Sequence, residues 1–334
     1  MSYSITNRRY TGSKAKLVEW IMPLINKECQ GGVFADIFSG TGVVAAAASR
    51  SFKSIIVNDF LYSNYASYKA FFENGIWGKR KLTKIIKKYN LISPDKLNQN
   101  YFSENFGGKY FSKETAKIIG FIREDIEKRK NLLTEKEYYI ILISLLYAAD
   151  KMANTVGHYD AYIRKEPVEK KFVMKLVEPI SVKKVSIFRE DANVLARSLK
   201  ADVVYIDPPY NSRQYSRFYH LLETLTKWDN PKLYGVALKP PPENMSDYCR
   251  VSATERFSDL INALDCRHIV VSYNNTYNSK SNSSQNKIRL EKIRTILNSR
   301  GHTKVFKKAY RFFNSGKTNF NNHQEYLFIT KTFK

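Results

Sequence analysis

Short apolar runs rich in Val, Ile and Phe recur at residues 33–36, 54–59, 185–188, 202–207 and 268–272, and several of them end in Asp or Asn. Near-continuous apolar runs mark strands buried on both faces, and hence a largely parallel sheet. Helical patterns fall between them, for example at residues 42–50 and 258–264. Strand alternating with helix predicts a doubly wound α/β domain. Residues 304–313 and 326–330 read as a closing pair of strands, while 239–242, with three consecutive prolines, and the polar stretch 274–287 read as loops.

The alternation breaks between residues 65 and 180. Residues 113–130 and 134–152 have the length of long helices, and the second opens with Thr134-x-x-Glu137, a capping-box pattern. Residues 154–162 show no clear period. Basic side chains are dense in this block, notably Lys79, Arg80, Lys81, Lys84, Lys87 and Lys88. For any single one of them a solvated helical face is a better explanation than a phosphate contact. The pattern predicts a catalytic domain made of residues 1–65 and 181–334, and a mostly helical insertion at 66–180 that carries substrate contacts.

Charge sharpens this reading. The 334 residues hold 55 Lys and Arg against 31 Asp and Glu, a formal charge of +24. Such a balance favours a polyanionic partner, because each cation near a phosphate releases condensed counterions. An aromatic content of 14 % argues for a packed fold rather than a disordered basic tail. Cys29, Cys249 and Cys266 lie far apart with no C-x-x-C, so neither a zinc site nor a disulfide scaffold is indicated. The polar first ten residues and the short apolar run at 140–149 suggest no signal core and no membrane span, so a cytoplasmic setting is expected.

Two motifs carry chemistry. Asp36-Ile37-Phe38-Ser39-Gly40-Thr41-Gly42 follows a strand and opens a helix. Gly40 and Gly42 permit a tight turn and let a ligand approach the backbone. Asp59, at the end of the next strand, can accept hydrogen bonds from ribose hydroxyls. Together they define a nucleoside pocket, but Gly40-x-Gly42-x-x-Ala45 with Asp59 also satisfies a dinucleotide fingerprint, so a nicotinamide-dependent dehydrogenase remains open on this motif alone.

The second motif, Asp207-Pro208-Pro209-Tyr210, also follows a strand. Its prolines supply no N–H, so their carbonyls are available to the site. An aromatic exocyclic amine is a poor nucleophile because its lone pair is delocalised into the ring. Two acceptors gripping its two hydrogens, the Asp207 carboxylate and the Pro208 carbonyl, favour a tetrahedral nitrogen with a localised lone pair. Tyr210 offers a face for the extruded base. Two weaker elements accompany these. Arg9-Tyr10-Thr11-Gly12-Ser13-Lys14 precedes a helix, and its Lys14 can pair with a ligand carboxylate. Asp191, after the strand at 185–188, can accept from an adenine amino group, or simply cap a helix.

In this order, these elements resemble the adenine-specific DNA methyltransferases of the Dam-like or D12 class. The segment from Asn322 to Tyr326 also fits that class. The resemblance implies a Rossmann-like S-adenosylmethionine-dependent methyltransferase sheet with a mostly helical DNA-recognition insertion. It implies a cofactor pocket from Tyr10, Lys14, Asp36, Phe38, Gly40, Gly42, Asp59 and Asp191, and catalysis by Asp207, Pro208, Pro209 and Tyr210, with no metal. The run Asn211-Ser212-Arg213-Gln214-Tyr215, continued by Tyr219-His220 and Glu223-Thr224, is similar to a subgroup serving restriction–modification systems. A monomer acting on double-stranded DNA is then expected, alongside a cognate restriction endonuclease that shares its site without a stable complex. The class places a hairpin of the insertion in the major groove. Residues 154–164 are the nearest match, with Asn154, His158, Tyr159 and Arg164 as candidate contacts. Arg213 and Gln214 either read guanine and adenine or order their own loop. Similar tetrapeptides occur in RNA adenine and cytosine-N4 methyltransferases, so those substrates stay as alternatives, as does a DNA binder without turnover.

Overall fold

The computed structural model describes residues 2–209, 212–275, 287–309 and 323–333. The chain divides into two compact units. One comprises Lys14–Phe60, Val182–Gln214 and Met245–Lys334, and the other Met1–Ser13, Leu61–Ser181 and Tyr215–Asn244. Besides the expected insertion, residues 1–13, 61–65, 181 and 215–244 group with the helical unit.

The first unit is built on one seven-stranded sheet. Its strands are β1 (Val33–Asp36), β2 (Ser54–Asn58), β3 (Val185–Phe188), β4 (Val203–Ile206), β5 (His268–Asn274), β6 (Gly301–Ala309) and β7 (Gln324–Thr332), in the order β3-β2-β1-β4-β5-β7-β6. The first five run parallel; β7 is antiparallel to both β5 and β6. Every expected strand has a counterpart, and the architecture is a doubly wound α/β sheet, parallel except for its closing strand β7. Residues 310–313 of the closing strand and 276–286 of the polar loop lie outside the described residues. Central strands β4 and β5 are buried along their whole length, as their unbroken apolar runs require. One core packs Val204, Ile206, Ile269 and Val271 against Leu195, Phe257, Leu260 and Ile261 of the flanking helices Ala192–Ala196 and Ala253–Ala263.

The second unit is helical. Helix Lys113–Lys128 is followed by Glu135–Met152, where Thr134 and Glu137 form the expected capping box. Arg123, almost fully buried, donates to the carbonyls of Leu225 and Thr226, satisfying the C-terminal end of helix His220–Lys227. Arg8 is also buried, held by Asn64 and Ser63. Glu223 receives the N–H groups of Tyr62 and Ser63, the first residues of helix Tyr62–Phe71. Helix Lys79–Tyr89 anchors itself by burying Leu82, Ile86 and Tyr89. Its first turn holds Lys79, Arg80 and Lys81 and no acid, each cation there being disfavoured by roughly 0.3–1 kcal/mol against the helix dipole. No helix among the described residues is long and apolar enough to cross a membrane.

The Thr134 hydroxyl accepts from the Glu137 N–H at 3.2 Å, and the Glu137 carboxylate returns to the Thr134 N–H at 3.0 Å. Thr134→Ala is therefore expected to lower unfolding free energy by about 1 kcal/mol. Urea denaturation followed by circular dichroism measures this; an unchanged midpoint would mean that the cap contributes nothing.

Candidate active site

Strands β1 and β4 are parallel neighbours, with Asp36 opposite Tyr205. From β1 the chain proceeds to β2 on one side, and from β4 to β5 on the other. This is the topological switch point, and ligands of open α/β sheets bind outside the strand ends there. The glycine loop after β1 and the Asp-Pro-Pro segment after β4 therefore share one rim.

The glycine loop is held from within. Ser39 Oγ donates to the Asp36 carbonyl at 2.6 Å, and the Gly42 N–H to the Ser39 carbonyl at 2.7 Å. Gly40 and Gly42 have φ of 53° and 81°, in the left-handed region that a side chain resists. The Gly40 N–H reaches Asp59 Oδ2 at 3.0 Å, fixing the second acid to the loop. Asn58, buried at the end of β2, ties three strand ends together. Its Nδ2 donates to the carbonyls of Ile37 and Glu190, and its Oδ1 accepts from the Glu190 N–H.

Electrostatics concentrate at the same place. Asp36 is buried, and its Oδ1 has no hydrogen-bond partner among the described residues. Desolvation first, then the charges of Asp207 and Asp59, push its carboxyl well above the usual range, against opposing hydrogen bonds from Ser39 and the Ala45 N–H. Asp207, the first residue beyond β4, has Lys14 Nζ at 2.9 Å from its Oδ1; the Lys14 side chain is only 3 % exposed. Burial raises Asp207 to about 6, a shift that Lys14 opposes and Glu325 reinforces. Glu325, buried on β7, is itself raised by burial and lowered by Lys14. One buried lysine thus faces an excess of carboxylates, a site suited to a cationic ligand and to N–H donors.

The family model for D12 class N6 adenine-specific DNA methyltransferases matches residues 10–315. The chain belongs to this family. It is similar to the modification methylase StsI of Streptococcus sanguinis, at 36 % identity over 80 % of this chain and 44 % of the relative. It is 34 % identical to the type II methyltransferase M.FokI of Planomicrobium okeanokoites over 92 % of this chain and 50 % of the relative. With the type II methyltransferase M.NlaIII of Neisseria lactamica it shares 31 % identity over 97 % of this chain and 99 % of the relative. The chain thus spans about half the length of the first two and nearly all of the third.

Within this D12-class chain, Lys14, Asp36, Phe38, Gly40, Gly42, Asp59, Asp191, Asp207, Pro208 and Pro209 all belong to the sheet unit. Tyr210 and Asn211 lie outside the described residues, as does Asn322. Asp191 caps helix Ala192–Ala196, its Oδ1 accepting from the N–H groups of Asn193 and Val194. Phe38 meets Tyr248 edge-on with centroids 5.1 Å apart, and the Tyr248 hydroxyl donates to Asn193 Oδ1. Tyr10 belongs instead to the helical unit, where its ring stacks on Tyr219 at 4.7 Å beneath Arg8.

Several of the residues expected to contact DNA have partners within the protein. Tyr159 has no exposed surface, and its hydroxyl donates to Asp150, so it is a core residue. Gln214 spends its amide on both backbone groups of Ser246, which fixes its loop instead of presenting it to a base. Asn154 Nδ2 is occupied by the carbonyls of Lys109, Ile163 and Lys165. His158 stacks on Phe218 at 4.6 Å and stays partly exposed, while Arg164 and Arg213 are exposed. Among the described residues no cluster of His, Cys, Asp and Glu is arranged for a metal. Sequence reasoning missed Asn58 and assigned no role to Glu325. The signal for Asn58 was a polar residue closing an otherwise apolar strand.

Replacing Asn58 with Ala leaves buried carbonyls and an N–H without partners. A loss of about 2–4 kcal/mol in unfolding free energy is expected. A urea midpoint equal to that of the unaltered protein would contradict the role of Asn58 as a tie between strand ends.

Proposed function

We propose that this chain methylates the N6 amine of an adenine within a short specific sequence of duplex DNA, using S-adenosylmethionine, as the modification enzyme of a restriction–modification system. The observation that carries the reading is the pairing of Asp207 with buried Lys14 on the rim that also holds the Asp36–Gly42 loop. The duplex substrate and the restriction–modification role rest on the family and on the named relatives. Such an enzyme works where the chromosome is, in the cytoplasm, and beside a nuclease of the same specificity.

The residues present fit the cofactor. Asp36 Oδ1, without a hydrogen-bond partner among the described residues, and the surplus of carboxylates suit a ligand carrying ammonium and sulfonium charge. Asp59, which accepts from the Gly40 N–H, holds the ribose hydroxyls in this reading, and Phe38 packs against the nucleoside. When bound, S-adenosylmethionine supplies an electrophilic methyl group. Lys14 fixes Asp207 through Oδ1, so Oδ2 is the oxygen that accepts one amine hydrogen, while the Pro208 carbonyl accepts the other. The nitrogen then presents a localised lone pair, and positioning provides much of the rate. After alkylation the nitrogen is strongly acidic, and its proton passes to the Asp207 carboxylate or to water. Extruding the base costs a few kcal/mol. Stacking on Tyr210 offsets ~1–3 kcal/mol of this.

Asp207→Ala is expected to abolish methyl transfer while leaving S-adenosylmethionine affinity within about tenfold, or about 1.4 kcal/mol. Calorimetry and mass analysis of nucleosides from treated plasmid test this; wild-type turnover in the variant rejects the mechanism, and a product other than N6-methyladenine rejects the substrate. The acid limb of kcat/KM reports the free enzyme. Because Asp207 must be ionised to accept an N–H, kcat/KM should fall as pH drops through about 6. Lys14→Met removes the opposing charge and should move that limb to higher pH. A limb that stays in place would mean that another group controls it.

A further inference from the structure

Helix Lys79–Tyr89 carries more positive charge than its own packing uses. Leu82, Ile86 and Tyr89 are buried within the helical unit, so no apolar face remains to enter a lipid surface. Arg80, Lys84, Lys87 and Lys88 are exposed. Arg80, Lys84 and Lys88 recur at intervals of four, which aligns them along one face about 6 Å apart. With Lys81 and Arg129 they line an open groove of about 440 Å³. Lys81 is compensated by Glu137 and Arg129 by Asp125, and Lys79 pairs with Glu178. Arg80, Lys84, Lys87 and Lys88 form no ion pair among the described residues.

Within this array like charges four apart repel, and Arg80 in the first turn opposes the helix dipole, whereas Lys87 and Lys88 in the last turn are favoured by it. An external polyanion relieves both unfavourable effects, and counterion release from it favours binding. We propose that this face docks on the phosphate backbone of duplex DNA through Arg80, Lys84 and Lys88, with Lys87 at its edge, and holds the duplex without reading its sequence. The identity of the polyanion rests on the function proposed above; the surface rests on the helix itself.

The test is the full-length triple variant Arg80→Gln/Lys84→Gln/Lys88→Gln, since glutamine keeps helix propensity. Anisotropy of a labelled duplex is measured across a salt titration, beside initial rates of methylation. The slope of log affinity against log salt should become shallower by about 2–3, close to 0.9 per lost phosphate contact. KM for DNA should rise at least about tenfold at physiological salt, with kcat at saturating DNA within about twofold. Affinities for specific and unrelated duplexes should fall together, because phosphate contacts carry no sequence information. The melting temperature of the free variant should stay close to that of the wild type, because relief of the repulsion and of Arg80 against the dipole is offset by loss of the favourable Lys88 charge in the last turn. Lys84→Glu alone should also weaken binding. An unchanged slope, or a loss confined to the specific duplex, overturns the docking surface. Tighter binding of wild type to duplex RNA, lost in the variant, reassigns the surface to RNA and overturns the proposal. A wild type that methylates DNA while the variant keeps its slope refutes this inference alone, whereas a wild type that transfers no methyl group to DNA refutes the proposed function.

Discussion

Strands β1 and β4 are hydrogen-bonded neighbours although the longest segment of the helical unit is threaded through the chain between them. Parallel neighbours cannot be joined by a tight turn, so their adjacency is a property of the whole sheet order. It decides where the chemistry lies. Parallel strands end on a common rim, and the order β3-β2-β1-β4-β5 makes the connections diverge between β1 and β4. The glycine loop and the Asp-Pro-Pro segment are unrelated in sequence and far apart along it. Only this pairing brings them to one rim, and Asn58 braces the neighbouring side of that rim by joining the ends of β1, β2 and β3.

That rim also sets an electrostatic problem. Asp36, Asp207 and Glu325 are each raised by burial, and only Lys14 is described as a buried cation paired among them. Removing one member of a buried ion pair costs about 3–5 kcal/mol, because the other charge is left stranded. The pair is therefore poor material for stability, since an apolar pair of similar volume often does as well. Its value is in position: Lys14 orients Asp207 and keeps its carboxyl from rising further. The raised acids store a demand for positive charge or for N–H donors that the free protein meets only in part. A cationic cofactor and a base amine satisfy that demand, which is why the two ligands of the proposed reaction suit one pocket.

Much of this was legible in the sequence because β1, β2 and β4 read as near-continuous apolar runs, each followed by a glycine loop or an acid. The capping box at Thr134 was legible for the same reason, being local. What escaped was non-local. Lys14 read as a partner for a ligand carboxylate, yet its neighbour is Asp207, which sequence spacing cannot reveal. Tyr10 stands four residues before Lys14 in one motif, but stacking on Tyr219 and Arg8 commits it to the other unit. The stretch Tyr219-His220 and Glu223 looked like part of a functional signature. Its roles within the helical unit are architectural: His220 Nε2 bonds the Tyr159 carbonyl, Glu223 caps Tyr62–Phe71, and burial holds the His220 imidazole neutral with a pKa lowered to about 4.

The same competition governs polar residues that have the chemistry for base recognition. Reading a base edge in the major groove takes donors and acceptors presented in pairs to that groove. Asn154, Tyr159 and Gln214 have the right chemistry, and for that reason they are also good at satisfying buried or turning backbone. Here they do so: Asn154 bonds three carbonyls, Gln214 bonds both backbone groups of Ser246, and Tyr159 bonds Asp150. A polar side chain committed inside the fold is not available to a base without breaking those bonds, each worth roughly 0.5–1.5 kcal/mol. Residue type cannot separate the two uses, whereas exposed cations such as Lys84 and Lys88 form no ion pair among the described residues. Charge along a helix therefore reveals the polyanion more readily than polar residues in a loop reveal the sequence that is read.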